Sequence, residues 1–416
     1  MKKSILFLLV ISFSSLYAQV NTSNSRFGVG TVIYGTTARD LSFGELGSAL
    51  YETDRVNLMN PASFGSFNLT RADFGQVFEA SFVKQSDASS YYAGGYFPGF
   101  SLGLPVSNAH GVGVVFGVNK YSDISFEGSR NGSINSGSSF VPDTYKEEYF
   151  YDGGITKVSL GASYRLPFGW NIGASADFLM GHIEYEASNK FNSSSVVDAV
   201  FTREHNFKGF SSTLGLLSDN LNKYFDISDL EDIRISFGYS IQSKLNGDYA
   251  VYTMNTTGSP DTLSKGNTEV TIPSRLFAGF SVKFNPRTKI YADFLTQSWK
   301  NFAITNSVSE TLTNNFKIST GIEYNPQHGS SMFVDDLSYR FGLSYEKLPY
   351  LIGGESSYRM SAGAGVSIPL STANYLDLGV QYSFNSGATP SSVKDHTVKL
   401  MVGLSVGELW FLRTEY

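Results

Sequence analysis

The sequence predicts an all-β protein: a 14-stranded antiparallel transmembrane β-barrel with an N-terminal plug, or hatch, in its lumen. Three observations predict it: long runs of period-two alternation, an aromatic-rich composition of nearly neutral hydropathy, and an N-terminus with the parts of an export signal.

Alternation is the strongest of the three. From Trp170 the even positions read Trp170, Ile172, Ala174, Ala176, Phe178 and Met180, while Asn171, Gly173, Ser175 and Asp177 fall between them. Ile233 to Gln242, Met360 to Leu370 and Leu376 to Asn385 repeat the pattern. A period of two puts one set of side chains on each face of a sheet. In a soluble sandwich the apolar face would be the core; in a membrane barrel it meets lipid and the polar face lines the lumen. Soluble strands average about 5–6 residues. These runs are about twice as long or more, and small Gly and Ser on the polar face suit a crowded lumen, so the barrel is preferred.

Composition agrees. Hydrophobic residues make up 41%, charged residues only 16%, and mean hydropathy is −0.11. Aromatics reach 15%, with 33 Phe and 25 Tyr, beside 41 Gly. An apolar exterior, a polar lumen and aromatic girdles average to this combination. No later run is long and apolar enough for a membrane helix, which needs about 20 residues. The net charge of −6 gives no reason to expect nucleic acid as a partner.

Met1-Lys2-Lys3, the apolar run Ile5 to Ile11 and the small residues before Gln19 read as a signal peptide over residues 1–18. Residues 19–68 then form a hatch and 69–416 the barrel, expected in a Gram-negative outer membrane among lipid and lipopolysaccharide. Cysteine is absent, which removes disulfides, thiolate metal sites and a lipoprotein acceptor. The final strand ends on Tyr416, as the insertion signal of outer-membrane barrels does.

Candidate strands span 71–84, 90–105, 110–127, 144–166, 169–186, 200–216 and 231–248. The second half adds 268–285, 288–303, 313–326, 335–347, 357–370, 374–386 and 397–416. With a periplasmic N-terminus, short connections (167–168, 286–287, 371–373) fall inside and long ones (128–143, 187–199, 249–267) outside, the asymmetry expected of such barrels. Segment 217–230 breaks the rule, being long and periplasmic, and its Leu221, Tyr224, Phe225 and Leu230 suit a short helix.

Residues 19–68 contain too many apolar side chains, Phe27, Val29, Leu41, Phe43, Leu46 and Leu50 among them, for a disordered tail. A compact plug is expected. Arg39, Gly44, Gly47, Ala49, Asp54 and Asn60-Pro61-Ala62 resemble the hatch of the FadL/TodX (OMPP1) family of outer-membrane transporters. Ile272-Pro273-Ser274-Arg275-Leu276 leading to Trp299, and the strand Arg340 to Tyr345, resemble its barrel. PorV-type barrels of Bacteroidota, which serve protein secretion, share an NPA-like hatch. The resemblance implies a fourteen-stranded barrel with the NPA turn just before the first strand. It further implies uptake of hydrophobic, long-chain fatty-acid-like molecules through an apolar lumen pocket, past a moving hatch and out through a wall opening. Apolar residues on the polar parity, Val115, Leu179, Phe277 and Leu295, are its physical counterpart, expected first as packing against the plug and second as ligand contacts.

No enzyme chemistry is expected. The histidines at 110, 182, 205, 328 and 396 have no metal-ligand spacing, and no nucleophile elbow or phosphate loop occurs. No cofactor is expected either. His182, beside Glu184 on the apolar parity, reads as a rim histidine. Two functions remain: transport of a hydrophobic small molecule, or a non-transporting barrel that scaffolds other outer-membrane proteins in a secretion or barrel-assembly complex.

Overall fold

A computed structural model describes residues 25–85, 88–134, 143–192, 198–225, 227–254, 259–305, 311–325, 333–352, 354–387 and 394–408. The expected signal peptide and the terminal Tyr416 lie outside them.

Fourteen antiparallel strands close into one barrel. They are β1 (Thr70–Gln85), β2 (Ala88–Tyr96 and Gly99–Ser107), β3 (Val112–Ile134), β4 (Asp143–Arg165), β5 (Asn171–Phe191), β6 (Ala199–Leu217) and β7 (Asp232–Ser240 and Ser243–Met254). There follow β8 (Pro260–Ile272 and Arg275–Asn285), β9 (Thr288–Gln297 and Ala303–Ile304), β10 (Asn315–Tyr324), β11 (Ser338–Ile352), β12 (Glu355–Pro369), β13 (Tyr375–Gly387) and β14 (Lys394–Glu408). Closure is made by β14 on β1, from Lys394 opposite Lys84 to Glu408 opposite Thr70. Each predicted strand corresponds to one of these. Among the described residues no helix is long and apolar enough to cross a membrane.

Side chains confirm which face is which. Leu160, Phe210, Leu214, Phe237 and Met360 are more than half exposed on the outer wall, where lipid takes the place of solvent. On the opposite parity Ser159, Asp177, Ser236, Lys317 and Glu346 are buried in the lumen. A water-soluble sandwich would show the reverse.

The strands depart from prediction mainly at their upper ends, away from Thr70. β3 and β4 each run 23 residues, and the Gly/Ser-rich stretch from Gly128 stays paired to β4 as far as Ile134 opposite Asp143. Likewise β8 begins at Pro260 and pairs with β7 through a segment expected to be loop. Membrane-spanning strands need about 9–11 residues, so these hairpins project well beyond the bilayer. β2 is interrupted at Phe97-Pro98, where proline has no N–H for the ladder and the Pro98 carbonyl instead accepts from Lys120 N–H at 2.9 Å. The connection after β6 carries the expected short helix, α2 (Asn222–Phe225).

Candidate functional site

Residues 25–67 pack against the buried faces of the strands. The chain enters through Thr31–Val32, a two-residue strand paired with Asp123 and Ser122 of β3. It then turns into α1 (Ala38–Ser42), whose N-cap Thr37 and N3 Asp40 form a reciprocal capping box. Helix and turns meet the lumen wall backbone to backbone. A Cβ on Gly173 would lie 2.3 Å from the Pro61 carbonyl carbon, and one on Gly215 2.0 Å from Asn60 Oδ1. Gly113, Gly342 and Gly379 are equally close to Phe64, Phe43 and Ala38. Lumen-facing glycine is therefore what lets this segment seat.

Asn60 is the pivot of the turn that leads out to β1. It is extended (φ −127°, ψ 109°), as the residue before proline should be, and Pro61 opens a 3-10 turn, Pro61–Ser63. Asn60 Oδ1 accepts from Ala62 N–H at 3.0 Å, while Nδ2 donates to the Ser48 carbonyl at 2.9 Å and the Leu216 carbonyl at 3.3 Å. One side chain thus binds the hatch to itself and to β6. Ala62 packs with Ala49 and Leu217.

A dry network of charges joins hatch to wall. Arg39 meets Glu323 of β10 through Nε at 3.2 Å and Nη2 at 3.1 Å, and Glu52 of the hatch at 2.8 Å. Arg340 of β11 reaches Glu323 at 2.5 Å, and Lys289 of β9 pairs with Glu52. Arg55 donates to Asp377 of β13 at 3.1 Å and to Ser367 at 3.2 Å; its backbone neighbour Asp54 is half-buried beside it. Lower down the chain order, Lys317, fully buried, holds Glu45. Glu45 has φ +72°, an uncommon conformation for a residue with a Cβ, between Gly44 (φ +84°) and Gly47 (φ +135°). Gly47 accepts from Asn57 Nδ2 at 2.8 Å, closing the hatch on itself. Buried ion pairs of this kind hold register, because removing one partner strands the other charge.

The four apolar lumen residues are buried in clusters that also hold residues ahead of β1. Val115 packs with Val56, Phe64 and Phe67, and Phe277 with Leu295 packs on Leu46. Leu179 belongs to a larger cluster further up the lumen, with Val29, Ile155, Phe207, Leu245 and Trp299. Prediction found the polar-parity outliers but not their partners, nor the wall carboxylates Glu323 and Asp377, which look like ordinary lumen polars in sequence. Between hatch and wall lie a cavity of about 30 Å³ beside Glu79, Arg359 and Lys399 and another of about 60 Å³ beside Val115, Lys157 and Phe277. Each has room for a few waters. His182, in the middle of β5, is 45% exposed, with Nδ1 2.8 Å from Asn206 Oδ1. Among the described residues no group of His, Asp and Glu is arranged to hold a metal.

No curated protein matches the chain. Among solved structures, a Pseudomonas aeruginosa FadL homologue superposes with a TM-score of 0.61 at 13% identity, over 91% of this chain and 99% of its own. The CymD monoaromatic hydrocarbon channel gives 0.59 at 13%, again over 91% and 99%. The Ralstonia pickettii toluene transporter TbuX gives 0.58 at 14%, over 90% and 99%. At such identities the likeness shows the fold alone, a closed antiparallel β-barrel. A sequence profile, by contrast, matches residues 1–416 from end to end, and by that match the chain belongs to the BamG family.

Proposed function

We propose that this chain is a plugged structural barrel, a subunit that supports other outer-membrane proteins in a secretion or barrel-assembly complex rather than a standing pore. The observation that supports this best is the hatch–wall network. Arg39, Glu52, Glu323 and Arg340 are buried and, with the half-buried Lys289, mutually paired, and two cavities beside the hatch have room for a few waters each. A path for an apolar solute would need dry, open, apolar surface. Purification in mild detergent followed by mass measurement tests the reading. A stoichiometric protein partner is the expected result; a chain that is always alone would end it.

A second reading has its own support. The solved relatives named above are described as a hydrocarbon channel and a toluene transporter, and the Leu179–Trp299 cluster is an apolar lumen lining of the sort a hydrophobic ligand needs. On this reading a fatty-acid-like molecule enters that cluster after the hatch shifts, and the residues from Arg39 to Ala62 act as the gate. Neither reading assigns the chain a catalytic step. Deleting residues 19–66 separates the two: lost uptake of a radiolabelled fatty acid together with a new ion conductance favours the gate, and unchanged uptake excludes it.

A further inference from the structure

The connection from β6 to β7 is long for the hatch-entry end of the barrel, and it is unusually well built. Asn220 Oδ1 accepts from the N–H of Asn222 at 2.9 Å and of Ile233 at 3.1 Å, while its Nδ2 donates to the Glu231 carbonyl at 2.7 Å. Asn222 repeats the device across the loop. Its Oδ1 accepts from Ile227 N–H at 2.9 Å and its Nδ2 donates to the Leu230 carbonyl at 2.5 Å. The Leu221 N–H is tied to β7 and the Glu231 N–H to β8, each at 2.8 Å. The neighbouring turn is locked on as well: Gly169, at φ +91°, leaves just the space that the Asp219 carboxylate occupies.

This rigid frame presents apolar side chains outward. Tyr224 is 64% exposed, Phe225 67% and Ile227 44%, and Phe168 on the adjoining turn is 60% exposed. Ordering a loop and then leaving its aromatics uncovered is unfavourable unless something covers them. Two occupants compete: the inner leaflet of the membrane and a protein. Charge decides between them. Residues 219–232 hold five acidic side chains (Asp219, Asp226, Asp229, Glu231, Asp232) against one lysine, Lys223. Asp219 is paired with Lys223 at 2.8 Å, Glu231 with Lys283 at 3.0 Å and Asp232 with Arg234 at 2.8 Å, which leaves the segment net acidic, with Asp229 its described carboxylate outside these pairs. Segments that lie in a bilayer surface carry the opposite bias, with Lys and Arg beside their aromatics. Aromatic anchors inside a charged rim are instead the anatomy of a protein interface, and a preformed loop avoids much of the ordering cost of binding.

We propose that residues 218–225 and 227–231 form a docking surface for a basic face of a periplasmic protein. The proposal rests on the scaffold reading above and gives that scaffold its periplasmic contact. The test compares the full chain, purified from its native membrane, with Tyr224→Ala/Phe225→Ala and with Asp229→Lys. Both variants leave the Asn220 and Asn222 bonds intact, and heat-modifiable migration on gels checks that the barrel is folded. A partner held by the unaltered chain should drop about tenfold or more in each variant, the loss typical of interface anchors. A partner retained equally by both variants overturns the docking surface while leaving the scaffold reading in place. If the unaltered chain holds no partner, both fall. A separate arm places Tyr224→Trp alone in phosphatidylethanolamine nanodiscs. Emission like that of a water-exposed indole is expected; a blue-shifted signal quenched by brominated lipid would assign the loop to the membrane instead.

Discussion

Asn60 and Arg39 show how single side chains tie the N-terminal segment to the barrel wall. Arg39→Ala would leave Glu52 and Glu323 short of a cation in a dry site, where losing one partner costs about 3–5 kcal/mol. The expected outcome is a lower urea midpoint in lipid vesicles and brief conductance events in planar bilayers, with the barrel itself still folded. Gly215→Val acts by a different route. Its first added carbon would fall 2.0 Å from Asn60 Oδ1, so the NPA turn must move, at a cost of about 1–3 kcal/mol. Equal conductance for Gly215→Val and the unaltered chain would mean that the turn is not what seals that side. Both positions also mark what sequence can show of a site. Arg39 and Asn60-Pro61-Ala62 were legible as a motif, because proline and its predecessor restrict the backbone locally. Glu323 was not, since it stands 284 residues from Arg39 and nothing local distinguishes it from any other lumen carboxylate.

At the scale of the element, alternation identified all fourteen strands but measured the wrong length for several. From Gly128 to Ile134, and from Pro260 to Lys265, strands continue without apolar partners on one parity. Hydrophobic alternation reports contact with lipid; above the bilayer both faces meet water, and the hydrogen-bond ladder continues with no pattern to announce it. The same reasoning gives a prediction for β6. Leu214 is 53% exposed on the lipid face, so Leu214→Arg should cost about 2–4 kcal/mol if it lies near mid-bilayer. Urea unfolding in vesicles checks this, and an unchanged midpoint would place that face of β6 out of contact with lipid. The break in β2 was not anticipated either, although Pro98 was its local signal.

The whole molecule is a barrel whose sidedness rests on where the hatch enters. Single cysteines at 168 and 286 should be protected from an impermeant maleimide on intact cells, while those at 135 and 258 react. The reverse pattern would invert the topology. The chain has no cysteine of its own, so each variant reports one site. By itself the sequence determined the class, the strand count and which parity of each strand faces outward. These follow from side-chain periodicity and from restricted dihedrals, which act over a few residues. Only the tertiary structure decided that lumen glycines at 173, 215 and 379 are seats for the hatch backbone, and that Arg39 and Arg55 find their carboxylates on β10 and β13. It alone placed Val115 in a cluster with Val56 and Phe64, Phe277 and Leu295 in one with Leu46, and Leu179 in one with Val29. Such pairings depend on how closure brings distant strands round to one axis, and closure is set by the register of every strand together, which no local stretch of sequence encodes.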